Sequence, residues 1–167
     1  MTDELLALAR ALVAHPKWAW REGMRVVMYT DSPWRAGFPQ PTFVYGRVLA
    51  YRRDHSPHLY VWWEDAVPHG RYTSVLDHPD WDDPDHGEEH LPDLHDAATA
   101  GVLLGMLPAN RVQGVRPLID DIGGAFGWRV VCRRPMQAAT PRSGFDYFIG
   151  DTLGEACAQA LLAVWGE

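Results

Sequence analysis

The side chains best suited to chemistry crowd into residues 78–90, His-Pro-Asp-Trp-Asp-Asp-Pro-Asp-His-Gly-Glu-Glu-His. Imidazole and carboxylate groups ligate divalent cations, and His86, Glu89 and His90 follow the H-x-x-E-H order of inverted zinc proteases. That chemistry needs both histidines on one turn of a stable helix and a third ligand from elsewhere. Gly87 lies inside the turn, and Pro84 and Pro92 flank it, so the local sequence disfavours the helix. His86 and His90 are the candidate metal ligands on this pattern. The bland reading of their neighbours Asp80, Asp82, Asp83, Asp85, Glu88 and Glu89 is a solvated acidic surface, and no cofactor is implied.

A second group is aromatic. Thirteen of the nineteen Phe, Trp and Tyr residues lie between Trp18 and Trp81. Trp62 and Trp63 are adjacent in a predicted strand, so they face opposite ways and one of them leaves a single sheet core. An exposed Trp near Tyr51, Arg53 or Tyr60 can stack a nucleobase, a peptide ring or a cation. The competing reading is that the Pro-rich stretch bearing Trp34 and Phe38 covers it. Trp34, Tyr51, Arg53, Tyr60, Trp62 and Trp63 are therefore the candidate ligand or partner contacts.

Other signatures are weak. Arg52-Arg53 and Arg133-Arg134 offer planar donor forks for phosphate, though paired arginines at strand ends are commonly solvated. The run Gly123-Gly124-Ala125-Phe126-Gly127 lacks the preceding strand and following helix of a phosphate loop. Ser32, Ser56, Ser74 and Ser143 sit in no nucleophile motif. No positive argument for an enzyme emerges, and the set of catalytic residues is empty.

The elements that must position these groups follow from periodicity. Leu5, Leu8, Ala9, Leu12 and Val13 form one helical stripe over residues 2–14, stopped by His15-Pro16. Residues 24–30, 42–53, 59–64 and 71–76 read as strands of an antiparallel meander. Asp96 is a candidate N-cap for a second helix, with Ala97, Ala98, Val102, Met106 and Leu107 able to pack and Pro108 ending it. Residues 110–124 are turn-rich and read as loop or a short helical turn. Residues 127–133 and 145–149 alternate as two strands. Thr152-Leu153-Gly154-Glu155 then makes a capping box, opening a helix whose stripe is Leu153, Ala156, Cys157, Ala160, Leu161, Val164 and Trp165, with Glu155, Ala158 and Gln159 turned away.

Composition bounds the rest. With 167 residues, 47% of them apolar, the chain is globular. No apolar run approaches the roughly 20 residues of a membrane span, and Met1-Thr2-Asp3-Glu4 lacks the basic end of a secretory signal. The expectation is a soluble protein of the cytosol with Cys132 and Cys157 as reduced core residues. The net charge is −7, and residues 77–99 hold nine acids with no Lys or Arg. Such a chain gains little from counterion release on duplexes, so nonspecific nucleic-acid binding by the whole surface is not expected. A local site stays open.

Two resemblances accompany these readings. Gly23-Met24-Arg25-Val26, Gly46-Arg47-Val48 and Tyr60-Val61-Trp62-Trp63-Glu64-Asp65 resemble the strand spacing of small SH3-like or Tudor-like barrels. Leu91-Pro92-Asp93-Leu94, Asp96, Thr99, Gly101, Leu103-Leu104, Gly127-Trp128-Arg129-Val130 and Gly150-Asp151-Thr152-Leu153-Gly154-Glu155-Ala156 resemble small uncharacterised proteins of phages and prophages. That half is also similar in layout to the phage alpha-beta-alpha sandwich domain. The second resemblance implies viral origin and no particular activity.

Together these readings predict an α+β protein. Its parts are an N-terminal helix with an antiparallel, SH3-like sheet (1–76), an acidic His-rich connector (77–95) and a helix-strand-strand-helix half (96–167). The expected role is non-enzymatic: a phage accessory protein in the host cytosol that sequesters or blocks a host factor, either a defence protein or its nucleotide signal. One alternative is an acidic nucleic-acid mimic that inhibits a DNA- or RNA-binding protein. Another is a metal-dependent hydrolase built on the His/Asp/Glu cluster. The partner is thus a host protein or a small nucleotide, not a membrane, and homo-oligomerisation is left open.

Overall fold

Residues 2–30, 42–53, 56–63, 71–73, 88–119, 122–135 and 144–167 are described by the computed structural model. In chain order they form α1 (Asp3–Val13), β1 (Arg25–Thr30), β2 (Thr42–Arg53), β3 (Ser56–Trp63), β4 (Arg71–Thr73), β5 (Glu88–Pro92), α2 (Ala97–Met106), β6 (Val112–Ile119), β7 (Ala125–Arg133), β8 (Phe145–Gly150) and α3 (Leu153–Trp165). Three helices with two antiparallel sheets make the protein α+β, as expected. The chain divides into two units, one of residues 19–93 and the other of residues 1–18 with 94–167. The first helix therefore groups with the C-terminal half, because it packs on α3. Among the described residues, no helix is long and apolar enough to cross a membrane.

The unit of residues 19–93 is a five-stranded sheet in the order β4-β3-β2-β1-β5. Four strands run as the expected meander, and the fifth is an addition. Residues 88–92 fall in the stretch expected to be a connector, yet they pair with β1 from Val26↔Pro92 to Thr30↔Glu88. Two adjacent glutamates are poor strand formers, and the pairing with β1 outweighs that preference. Alternation puts Val26, Val48 and Val61 on one face, where they are fully buried. In β1 and β5 the opposite face is closed as well, by Val27 and Leu91.

In the second unit β6, β7 and β8 form a three-stranded sheet in that order. β6 lies where a loop or helical turn was expected. It carries Gly114 and Pro117, which weaken a central strand but suit an edge, where one side of the backbone has no ladder to complete. A register shift between Val112 and Gly114 marks an irregularity there. The C-terminal half is thus helix, three strands, helix.

Helix α3 covers one face of this sheet, over Val130 and Cys132, and α1 and α2 pack against α3 in turn. Being enclosed on several sides, α3 buries Ala158 along with Ala156, Cys157, Ala160 and Leu161, so its buried arc is wider than the single stripe expected. His15 stacks on Trp165 with ring centroids 4.9 Å apart. In α2 the residues that pack are Thr99, Ala100, Leu103 and Leu107, not Ala97 and Ala98, which are exposed. That helix is apolar around its whole circumference, so no periodic pattern singles out a face.

The caps at Asp96 and Thr152 are those anticipated, and Thr2, read as the first residue of α1, caps that helix. Thr2 accepts from the Leu5 amide at 3.3 Å and Asp96 from the Thr99 amide at 2.8 Å. Thr152 accepts from the Glu155 amide at 3.1 Å and donates to the Leu94 carbonyl at 2.8 Å. The Glu155 carboxylate reaches back to the Asp151 amide at 2.8 Å, one residue beyond the usual capping box. Glycine is required where α3 starts. A Cβ at Gly150 would lie 2.8 Å from the Ala156 nitrogen, and one at Gly154 would strike the Leu94 carbonyl.

Gly154→Ala tests this close approach. Alanine is favoured over glycine in a helix by about 1 kcal/mol, so a gain in stability would show that the approach to Leu94 is loose. The expected outcome is the opposite, a loss of about 1–3 kcal/mol in urea unfolding. Thr152→Ala should cost about 1 kcal/mol by the same measurement.

Candidate functional site

On the five-stranded sheet, the register gathers most of the predicted contact residues. Arg47 is opposite Trp62, Leu49 opposite Tyr60, Tyr51 opposite His58 and Arg53 opposite Ser56. Directly opposed residues share a face and neighbours two apart repeat it. Tyr51, Arg53, Tyr60 and Trp62 therefore occupy positions on one face, together with Tyr45 and Arg47. Trp63, opposite Gly46 and Arg71, falls on the other, so the adjacent tryptophans divide as alternation requires. Trp34 lies outside the described residues.

The part of this face described at side-chain level is half-buried at Arg25, Tyr45, Arg47, Leu49 and Trp62, and fully buried at Val27 and Leu91 on β1 and β5. Arg25 and Arg47 stand directly opposite each other, a like-charge pairing that is unfavourable in isolation. Both guanidinium groups have compensation. Arg25 lies over the Tyr45 ring at 4.5 Å from its centroid and 3.7 Å from the buried Asp93 carboxylate. Arg47 donates from Nη1 to the Gly23 carbonyl at 2.9 Å. The result is a fixed row of cation, ring and cation running into Trp62, a surface suited to a ligand with a flat ring and an anionic group.

The remaining candidates fare differently. Asp80, Asp82, Asp83, Asp85 and His86 lie outside the described residues. Glu88, Glu89 and His90 lie on β5, where consecutive positions alternate between faces. His90 is half-buried and stands opposite Met28. The backbone at residues 88–90 is extended, so it does not supply the helical turn that the inverted zinc-protease pattern requires. Among the described residues no group of three or more His, Cys, Asp or Glu side chains could hold a metal ion. Ser32, Ser74 and Ser143 are outside the described residues, and Ser56 opens β3. Arg134 is bound to Asp146 at 2.7 Å.

Both cysteines are buried and free. Burial pushes the Cys157 thiol up to about 12, with Cys132 adding to the shift, and burial raises Cys132 as well. Neither is a nucleophile near neutral pH.

One surface was missed from sequence. Beyond the face covered by α3, the three-stranded sheet presents Phe145, Tyr147 and Ile149 at 38%, 58% and 54% exposure. The signal was in β8 itself. Phe145-Asp146-Tyr147-Phe148-Ile149 has large apolar residues in both registers, and a sheet with a helix on only one side leaves one register open. Compared with known proteins, the chain matches no family model, no curated protein and no solved structure.

Two outcomes check the electrostatics. Asp93→Asn leaves Arg25 and Arg47 opposed without their carboxylate and should cost about 1–2 kcal/mol in denaturant unfolding. A thiol-reactive dye at about pH 8 should label neither cysteine until the protein unfolds. Because the folded state favours the neutral thiols, this contribution to stability is complete below the ordinary thiol value. It is lost as pH rises toward about 12, and a flat stability profile in alkali would contradict it.

Proposed function

We propose that the protein is a non-enzymatic binding protein of phage or prophage origin that acts in the host cell cytosol. It captures a host factor on the Tyr45, Arg47, Tyr51, Arg53, Tyr60 and Trp62 face of its five-stranded sheet. The observation that carries this reading is the register, which brings residues from two strands onto one face and divides Trp62 from Trp63. Rings of Tyr and Trp offer stacking surfaces and Arg offers a donor fork. A nucleotide combines the two complementary features, a flat base and a phosphate. Among the expected host factors, a nucleotide signal therefore fits this face better than a protein.

The strand order supports treating this sheet as the SH3-like element that the Gly-Xaa-Arg-Val and Tyr-Val-Trp-Trp motifs resemble. Four strands follow as a meander, and the fifth returns beside the first, with β4 and β5 at the two ends of the strand order. The alternative of an acidic mimic draws on Asp80, Asp82, Asp83 and Asp85, outside the described residues.

Titration of the purified full chain with linear and cyclic nucleotides, read by tryptophan fluorescence, tests the proposal. The expected result is saturable binding of at least one nucleotide, with Trp62→Ala weakening it about tenfold or more, the worth of one stacked ring. Trp62→Phe should retain most of the affinity, and thermal melts should show both variants folded. Failure of every nucleotide to bind, or binding indifferent to Trp62→Ala, would overturn it.

A further inference from the structure

The open face of the three-stranded sheet carries three arginines besides its apolar residues. Arg116 on β6 stands directly opposite Arg129 on β7, and Arg129 stands opposite Ile149 on β8. Arg133 stands opposite Phe145. No Asp or Glu occupies a position of this face on any of the three strands. Asp146 points the other way in the register, opposite Cys132.

The arginines of this unit sort into two kinds. Arg111 is held by Glu167 through two bonds of 2.7 and 2.9 Å, and Arg134 by Asp146. Arg116, Arg129 and Arg133 have no carboxylate partner among the described residues. Arg129 lies 5.7 Å from the Tyr147 ring centroid, with its Nε enclosed and lacking a hydrogen-bond partner among the described residues. The contrast with the other sheet is direct. There the opposed Arg25 and Arg47 are compensated by Asp93 and the Gly23 carbonyl. Here Arg116 and Arg129 are opposed with the Tyr147 ring beside Arg129 and no carboxylate partner among the described residues, an arrangement that an external anion would relieve.

Exposed rings and guanidinium groups without a carboxylate partner among the described residues, together on one strand face, define the ligand class. From these features we infer that this face is a second binding surface, on a different sheet from Trp62, for a short stretch of single-stranded nucleic acid. Phosphates would pair with Arg116, Arg129 and Arg133, and bases would stack on Tyr147 and Phe145. Those two positions are roughly 7 Å apart along β8, from the rise of a strand, a spacing that an extended nucleic-acid strand can match with successive bases. Stacking requires free base faces, which a duplex lacks. The net charge of −7 is no obstacle, because the local balance of this face is positive.

Anisotropy of fluorescein-labelled oligo(dT) and oligo(U) with the full chain provides the test. The expected result is saturable binding that weakens about 15-fold from 50 to 200 mM salt, as contact with about three phosphates requires. Tyr147→Ala and Arg116→Glu should each reduce affinity at least tenfold, whereas Trp62→Ala should leave it unchanged. Tyr147 and Arg116 are exposed, so circular dichroism should show both variants folded. No anisotropy change at the highest soluble protein concentration would overturn the inference. Binding that survives both face variants, or equal binding of blunt duplex, would do the same. So would a monomer–dimer equilibrium or acidic-peptide binding abolished by Tyr147→Ala in the absence of oligonucleotide binding. Failure of nucleotides at the Trp62 face would leave this result intact, so the two surfaces stand or fall separately.

Discussion

The backbone of α3 approaches Leu94 and the end of β8 so closely that residues 150 and 154 have no room for a side chain. Much of the C-terminal unit follows from that approach. The Thr152 hydroxyl, inserted between the Glu155 amide and the Leu94 carbonyl, fixes where the helix starts and ties it to the chain entering α2. Small residues along α3 then let it sit low over Val130 and Cys132. With α1 and α2 packed on α3, the helices gather on one side of a three-stranded sheet. The far side keeps whatever side chains the other register supplies.

Charge placement separates the two sheets more clearly than net charge does. Each has two arginines directly opposed across neighbouring strands. In the five-stranded sheet a buried carboxylate, a tyrosine ring and a backbone carbonyl absorb the repulsion, so that pair is part of the framework. In the three-stranded sheet the opposed pair sits among exposed rings, and neither arginine has a carboxylate partner among the described residues. The same motif is thus compensated internally in one unit, while in the other its arginines have no carboxylate partner among the described residues. A total of −7, weighted by the acids of residues 77–99, conceals a positive local face.

Much of this architecture was legible in the chain. Asp96 and Thr152 mark helix starts because a short side-chain oxygen before an apolar run can satisfy an otherwise unpaired amide. Residues 24–30, 42–53, 127–133 and 145–149 alternate strongly enough to give strands. What escaped was decided by pairing. Glu88–Pro92 has poor strand propensity and becomes β5 because β1 offers an edge. Val112–Ile119 contains Gly114 and Pro117 and becomes β6 because an edge tolerates both. For α2, apolar on all sides, only its neighbours could choose which residues are buried.

The candidate sites divide along the same line. Residue types alone identified Tyr51, Arg53, Tyr60, Trp62 and Trp63, and alternation alone required the two tryptophans to part. Which of them share a face with Tyr45 and Arg47 depended on register between strands, which no single strand specifies. The Phe145, Tyr147 and Ile149 face lay in plain view as one register of a two-sided apolar strand. Alternation states that a strand has two apolar faces, and only the placement of α3 determines which of them stays open to solvent.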